Sequence, residues 1–431
     1  MHFTRLGGFD DDREVPIIVR GEGCHVYDAH GRRYLDGLSA LFCVNAGHGR
    51  EELGEAAAAQ VRELGFFQAW AHAHPPVIEL AERVAALAPG DLNRVFFTSG
   101  GSEAVESALK LARAFHRARG DAQRTKVIAR RYAYHGTSLG ALGATGIPQF
   151  RTQFEPLAPG GCHVPNTNAY RRAAEEDPLS CADAIEERIL FEGPDTVAAV
   201  LLEPVQNAGG CLTPPPGYFQ RVREICDRHG VLLISDEVIC SWGRLGEYFG
   251  CQRYGYQPDM ITTAKGLTSA YAPMGAVIAS DRLAEPFLAD GAMFAHGFTF
   301  GGHPLCAAVA LANLDIFERE DLCGQVRARE GELREALERL YDIPAVGDVR
   351  GDGFFYAIEL VADQETKARF PAARVKEIVA TLPGELLARG LLTRVDDRAG
   401  DPLVLLCPPL IAGPEEYEEI LAALRPTLEQ I

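Results

Sequence analysis

The sequence predicts an α/β fold, with one large domain built on a mostly parallel sheet covered by helices and a small α+β domain made from both chain ends. Two observations carry this reading. From about residue 94 to 280, short β-branched or aromatic runs alternate with longer stretches of helical period, as strands separated by crossover helices do. Before and after that span the pattern changes, and 431 residues at 47% hydrophobic content are enough for two cores. The boundaries read as residues 1–60 for the N-terminal segment of the small domain, 61–322 for the large domain and 323–431 for the C-terminal part of the small one.

Taken in order, "IIVRGEGCHVYDAHGRRYLDG" reads as a few antiparallel strands with a turn at His30-Gly31. Then "RVFFT", the helix "SEAVESALKLARAFHRAR" and "KVIARR" open the alternating region, and "TVAAVLLEPV", "GYFQRVREICDRHG" and "VLLISDEVI" continue it. The strands are apolar throughout, as buried parallel strands should be. Residues 158–161 read as a surface loop and "TPPPG" as a rigid turn. Past residue 322 come a charged helix "CGQVRAREGELREALERL", a strand-like "DVRGDGFFYAIELV", a helix "KEIVATLPGELLARG" and a strand "PLVLLCPP".

A net charge of −18, with no cluster of Lys and Arg on any expected element, argues against nucleic acid as a partner. Asp10 to Asp12 stand where a secretory peptide needs apolar residues, and no run approaches the roughly 18 apolar residues of a membrane span. A cytoplasmic protein is expected. Eleven cysteines without a C-x-x-C pair read as reduced, buried thiols, and His72 and His74 fit no metal-ligand spacing, so no metal is expected.

Ligands of open parallel sheets gather at the carboxyl ends of the strands. There the sequence offers Ser99-Gly100-Gly101-Ser102, Tyr134-His135-Gly136, Glu203-Pro204 and Asp236-Glu237. Two glycines opening a helix suit either an anion cradle or a plain tight turn. Asp236, ending a buried strand, needs a positive partner, either a protonated ring nitrogen or an arginine such as Arg244. Lys265 is one of five lysines beside 37 arginines, and it lies in the small, apolar run "PDMITTAKGLTSAYAPMG". Alone it reads first as a snorkelling surface residue and only second as an amine desolvated into a nucleophile. An anion cradle, a buried carboxylate, an aromatic after a strand and a desolvated lysine together are the parts that hold pyridoxal phosphate.

The blocks "FFTSGGSEAVESALKLAR", "YHGTSLGALGATG", "LLEPVQNAGG", "LLISDEVICSWGRLGEYFG", "PDMITTAKGLTSAYAPMGAV" and "HGFTFGGHPLCAAVALANL" occur in that order. The chain thereby resembles the class III, or omega, aminotransferases of the fold type I pyridoxal-phosphate enzymes, over nearly its whole length. The resemblance implies that Lys265 carries pyridoxal 5'-phosphate as an aldimine, that Asp236 partners its ring nitrogen, and that Tyr134 and Val238 pack on its two faces. It assigns the phosphate to Gly101 and Ser102, and to Thr299 reaching across a homodimer interface. Phe42 and Trp70 are similar to the aromatic pocket walls of pyruvate-using omega-transaminases, and Arg394 to the mobile arginine that pairs with an acceptor's carboxylate. Ping-pong transamination from an amine or omega-amino acid to an oxo acid such as pyruvate is then expected. An aminomutase or epimerase shares these blocks, whereas a nicotinamide dehydrogenase lacks support because no G-x-G-x-x-G is present. Ser241 and Trp242 stand where the family usually has Gly and Phe, and Gly301 where Ser or Ala is common.

Overall fold

The computed structural model describes residues 15–289 and 291–431, so Asp10 to Asp12 lie outside the described residues. Three antiparallel strands come first, β1 (Ile18–Glu22), β2 (His25–Asp28) and β3 (Arg33–Asp36). The turn joining β2 to β3 contains Gly31 at φ +79°, where a side chain would be strained. Seven strands build the central sheet: β4 (Leu92–Thr98), β5 (Lys126–Arg130), β6 (Gly161–Val164), β7 (Val197–Leu202), β8 (Leu232–Asp236), β9 (Met260–Thr263) and β10 (Gly275–Ser280). Their order is β4-β10-β9-β8-β7-β5-β6, parallel from β9 to β6, with β10 running antiparallel to both β9 and β4.

Every residue of β7 and β8 is buried, which is why these runs are apolar without alternation. The helix Gly101–Ala118 lies against the sheet through Ala104, Val105, Ala108 and Ala112, small residues that bring its axis close. Ser180–Glu192 and Tyr218–His229 bury Ile185, Ile189, Val222 and Ile225 in the larger core.

The C-terminal sheet comprises β11 (Val346–Asp352), β12 (Phe355–Leu360), β14 (Arg394–Asp396) and β15 (Leu403–Leu406), in the order β11-β12-β15-β14. The short β13 (Leu391–Leu392) instead pairs parallel with β3, so the two chain ends share one sheet. A buried ion network fastens the C-terminal sheet to the large domain. Glu359, 1% exposed, receives Arg171 at 2.6 Å and Arg350 at 2.7 Å, while Arg350 also donates to the carbonyls of Gly209 and Gly210.

Three elements differ from the sequence expectation. Residues 158–161, read as a loop, run into β6, a four-residue edge strand that starts at Gly161. β10, rich in Gly and Ala, carries too little β-branched content to announce itself. "DVRGDGFFYAIELV" is a hairpin, β11 and β12, that turns at Gly353 with φ +57°. All eleven cysteines are free thiols, most of them buried, and burial pushes Cys226 and Cys323 up to about 12. No helix among the described residues is long and apolar enough to cross a membrane.

His163, on β6, donates through Nε2 to the Ala144 carbonyl at 2.9 Å, and burial pushes it down to about 4 from an ordinary 6.5. The unfolded chain therefore takes up this proton at higher pH than the fold does, and stability should fall as pH drops through that window. Thermal midpoints taken from about pH 7 to about pH 4.5 should decline less steeply in His163→Gln than in the unsubstituted protein; parallel profiles would refute this source of acid sensitivity.

Candidate active site

The carboxyl ends of β4, β5, β7, β8 and β9 open on one rim, and a cavity of about 190 Å³ lies there. Its lining includes Gly101, Ser102, Tyr134, His135, Glu203, Asp236, Val238 and Lys265. The parallel sheet thus brings together residues from five separate loops.

Asp236 ends β8 and is 4% exposed. Its Oδ2 accepts a hydrogen bond from His135 Nδ1 at 2.6 Å, and Oδ1 accepts from Val238 N and Thr262 Oγ1, both at 3.2 Å. These donors, not Arg244, satisfy it. Arg244 is fully buried elsewhere and donates to the carbonyls of Phe354 and Pro408, to Ser39 Oγ and to Asn45 Oδ1. His135 Nε2 is buried with no partner among the described residues.

Glu203, just past β7, accepts from Tyr134 N at 3.0 Å and from Asn207 N at 2.7 Å, which fixes the backbone beneath the Tyr134 ring. Burial raises its pKa, and burial likewise raises that of Tyr134.

Lys265 follows β9 with φ +45°, and its Nζ lies 5.3 Å from the centroid of Phe42. No described residue hydrogen-bonds the amine. Burial lowers its pKa, against the opposing pull of Cys43, Asp236, Cys407 and Glu203. The environment therefore shifts the amine in the direction of its neutral, nucleophilic form.

At the cavity's other end the helix Gly101–Ala118 begins, and the N–H groups of its first turn lack intrahelical partners. Ser102 Oγ lies 2.8 Å from Ser138 Oγ and accepts from the backbone N–H groups of Thr137 and Ser138. A Cβ at Gly101 would stand 2.7 Å from Val238 Cγ1, and one at Gly136, φ +115°, would strike Ser102 Oγ, so glycine keeps this cradle open. An anion cradle, an aromatic wall, a buried carboxylate and an unpaired amine around one small cavity fit pyridoxal phosphate: Gly101 and Ser102 suit its phosphate, Asp236 its ring nitrogen and Lys265 its aldehyde carbon.

Four other residues picked from the sequence lie outside this lining. Phe42 is 2% exposed and meets Phe355 edge-on at 5.8 Å, so it is core as well as the amine's neighbour. Trp70 is 64% exposed and lies against Gly297, while Thr299 is exposed. Arg394 Nε contacts Asp396 Oδ2 at 3.1 Å, and its charge reaches Tyr134. Arg398 shares Asp396 at 3.7 Å and covers Phe150, whose ring meets Tyr134 edge-on at 5.9 Å. Sequence reasoning put His135 and Glu203 on the rim without assigning either a role; Glu203 directly follows β7 and His135 lies in the stretch after β5, which was the available signal.

Comparison with known proteins places the chain in a family. Residues 10–428 match the family model for class-III aminotransferases. A probable aminotransferase of Mycobacterium tuberculosis is 57% identical over 99% of this chain and 92% of its own. The putrescine–pyruvate aminotransferase of Pseudomonas aeruginosa is 38% identical over 97% and 92%. The structure of the omega-transaminase from Pseudomonas jessenii in complex with PMP superposes with a TM-score of 0.93 at 35% identity, covering all of this chain and 97% of that one.

Removing the His135 ring should leave the Asp236 carboxyl buried without its shortest hydrogen bond. His135→Ala should lower unfolding stability in urea by about 2 kcal/mol or more and weaken retention of added pyridoxal phosphate; a loss under about 0.5 kcal/mol would show that the pair contributes little.

Proposed function

The chain belongs to the class III aminotransferases, which depend on pyridoxal phosphate, and from that premise we propose that it moves an amino group from an amine or omega-amino acid to an oxo acid, pyruvate, by a ping-pong scheme. The observation that carries this reading is the buried, unpaired Lys265 amine facing the same small cavity as the Asp236 carboxylate. When bound, pyridoxal phosphate supplies an electrophilic carbon and an electron sink.

Lys265 Nζ would hold the coenzyme through its aldehyde carbon and, once a donor amine takes its place, would accept the proton of the donor's amine-bearing carbon and return it to the former aldehyde carbon. Its lowered pKa suits both tasks, since a protonated amine could neither attack nor accept a proton. Asp236, kept in place by His135, Thr262 and the Val238 N–H, would hold a proton on the ring nitrogen. Tyr134 and Val238 would confine the ring, and the first turn of Gly101–Ala118 with Ser102 would bind the phosphate.

Arg394 pairs with the acceptor's carboxylate, for which its guanidinium fork is suited, and the pyruvate named for the Pseudomonas aeruginosa relative supports that acceptor. Exposed Trp70 and Thr299 support a homodimer in which the second chain brings Thr299 to the phosphate. The acid composition and the absence of a membrane-crossing helix among the described residues are in keeping with a cytoplasmic enzyme.

Lys265→Ala should lose turnover by about a thousandfold and should no longer be fixed to the coenzyme by borohydride; near-normal turnover would end the assignment. A panel of amine donors offered with pyruvate, read as alanine formed, should reveal the donor class. In Arg394→Ala the KM for pyruvate should rise about tenfold while that for an uncharged amine stays within about twofold, and an unchanged pyruvate KM would remove Arg394 from acceptor binding.

A further inference from the structure

We infer that Ser241 and Trp242 act with Thr263 as a directional clamp that positions Lys265, a role that rests on the reading of Lys265 as the coenzyme's anchor. The network is linear and buried. Trp242 Nε1 lies 2.6 Å from Thr263 Oγ1, Thr263 Oγ1 lies 2.7 Å from Ser241 Oγ, and Ser241 Oγ lies 2.6 Å from the Glu237 carbonyl. Trp242 and Thr263 have no exposed surface and Ser241 only 1%.

Chemistry fixes the direction of each bond. An indole N–H can only donate and a carbonyl can only accept. Ser241 must therefore spend its single proton on Glu237, so Thr263 donates to Ser241 and accepts from Trp242. A chain aligned this way is cooperative, and interrupting it leaves a buried group unsatisfied.

Its ends lie where the site needs rigidity. Thr263 closes β9 two residues before Lys265, and Glu237 follows Asp236 directly. Trp242 also backs onto the lysine's own loop: a Cβ on Gly266 would stand 2.8 Å from Trp242 Cβ, and the Trp242 carbonyl accepts from Asn45 Nδ2 at 2.7 Å. Both Trp242, at φ +55°, and Lys265, at φ +45°, hold the left-handed backbone that side chains avoid, so the segment has to be held by its surroundings. A phenylalanine at 242 would keep an aromatic ring without the N–H, and a glycine at 241 would remove the hydroxyl together with its carbon.

The test uses Trp242→Phe, which keeps an aromatic ring and removes the N–H, and Ser241→Ala as an independent break. Each apo-protein is mixed with pyridoxal phosphate, the linkage is trapped by borohydride at intervals, and the peptide bearing residue 265 is quantified. The visible absorbance of each loaded protein is then titrated against pH. Covalent attachment about fivefold slower, an absorbance midpoint moved by about half a pH unit or more, and kcat lowered about fivefold with donor KM within about twofold are expected of either variant. Variants that lose only thermal stability, with attachment rate and absorbance midpoint unchanged, would overturn the clamp, as would two variants that fail to fold. Attachment of the coenzyme at a residue other than 265 in the unsubstituted protein would instead overturn the anchor assignment itself.

Discussion

Keeping one ammonium group out of water without giving it a counter-ion is the constraint on which this structure depends. Burial pushes the Lys265 amine toward neutrality, whereas Asp236 and Glu203, a short way across the cavity, pull the other way. A salt bridge between Lys265 and Asp236 would tip that balance and silence the nucleophile. The fold prevents it by satisfying both carboxylates from other directions. His135, Thr262 and the Val238 N–H occupy Asp236, and the N–H groups of Tyr134 and Asn207 occupy Glu203. The parallel sheet makes this economical, since one rim receives the ends of five strands and each loop needs to contribute only one or two side chains.

Around the amine the backbone is unusually contorted. Ser39, Ala40 and Phe42 have positive φ on one side of it, and Ser269 and Ala270 on the other. Such conformations persist only where neighbouring groups determine them. Asp36 accepts from the N–H groups of Leu38 and Ala40, Ser39 Oγ donates to the Cys407 carbonyl, and Arg244 gathers Ser39, Asn45, Phe354 and Pro408 around one guanidinium. Arg244 therefore joins three distant stretches of chain. Its burial lowers its pKa, yet a guanidinium has ample margin to stay charged.

What could be read from the sequence followed the strength of each local signal. Long strands such as β7 and β8 were plain because burial on both faces leaves them almost wholly apolar up to their carboxyl ends, and the residues there, Asp236 among them, could be placed on a rim by that logic alone. The convergence of Gly101, Ser102, Tyr134, Asp236, Val238 and Lys265 on one cavity followed from the same rim. β6 and β10 were obscure because an edge strand of four residues and a strand of Gly and Ala carry little pattern. The partner of Asp236 was open between a ring nitrogen and Arg244; His135 meets it from another strand's loop, and such pairing across the sheet leaves no trace in local spacing. Trp70 and Thr299 were picked through the resemblance, and in the single chain both are exposed.

The parallel pairing of β13 with β3 ties almost the last strand made to one of the first. On a ribosome the N-terminal hairpin emerges early and must keep the edge of β3 uncovered until nearly the whole chain has been translated. Bare edges invite pairing with neighbouring nascent chains. Only Arg33 and Asp36, at the two ends of this four-residue strand, carry charge against such pairing, and the strand's shortness limits it further.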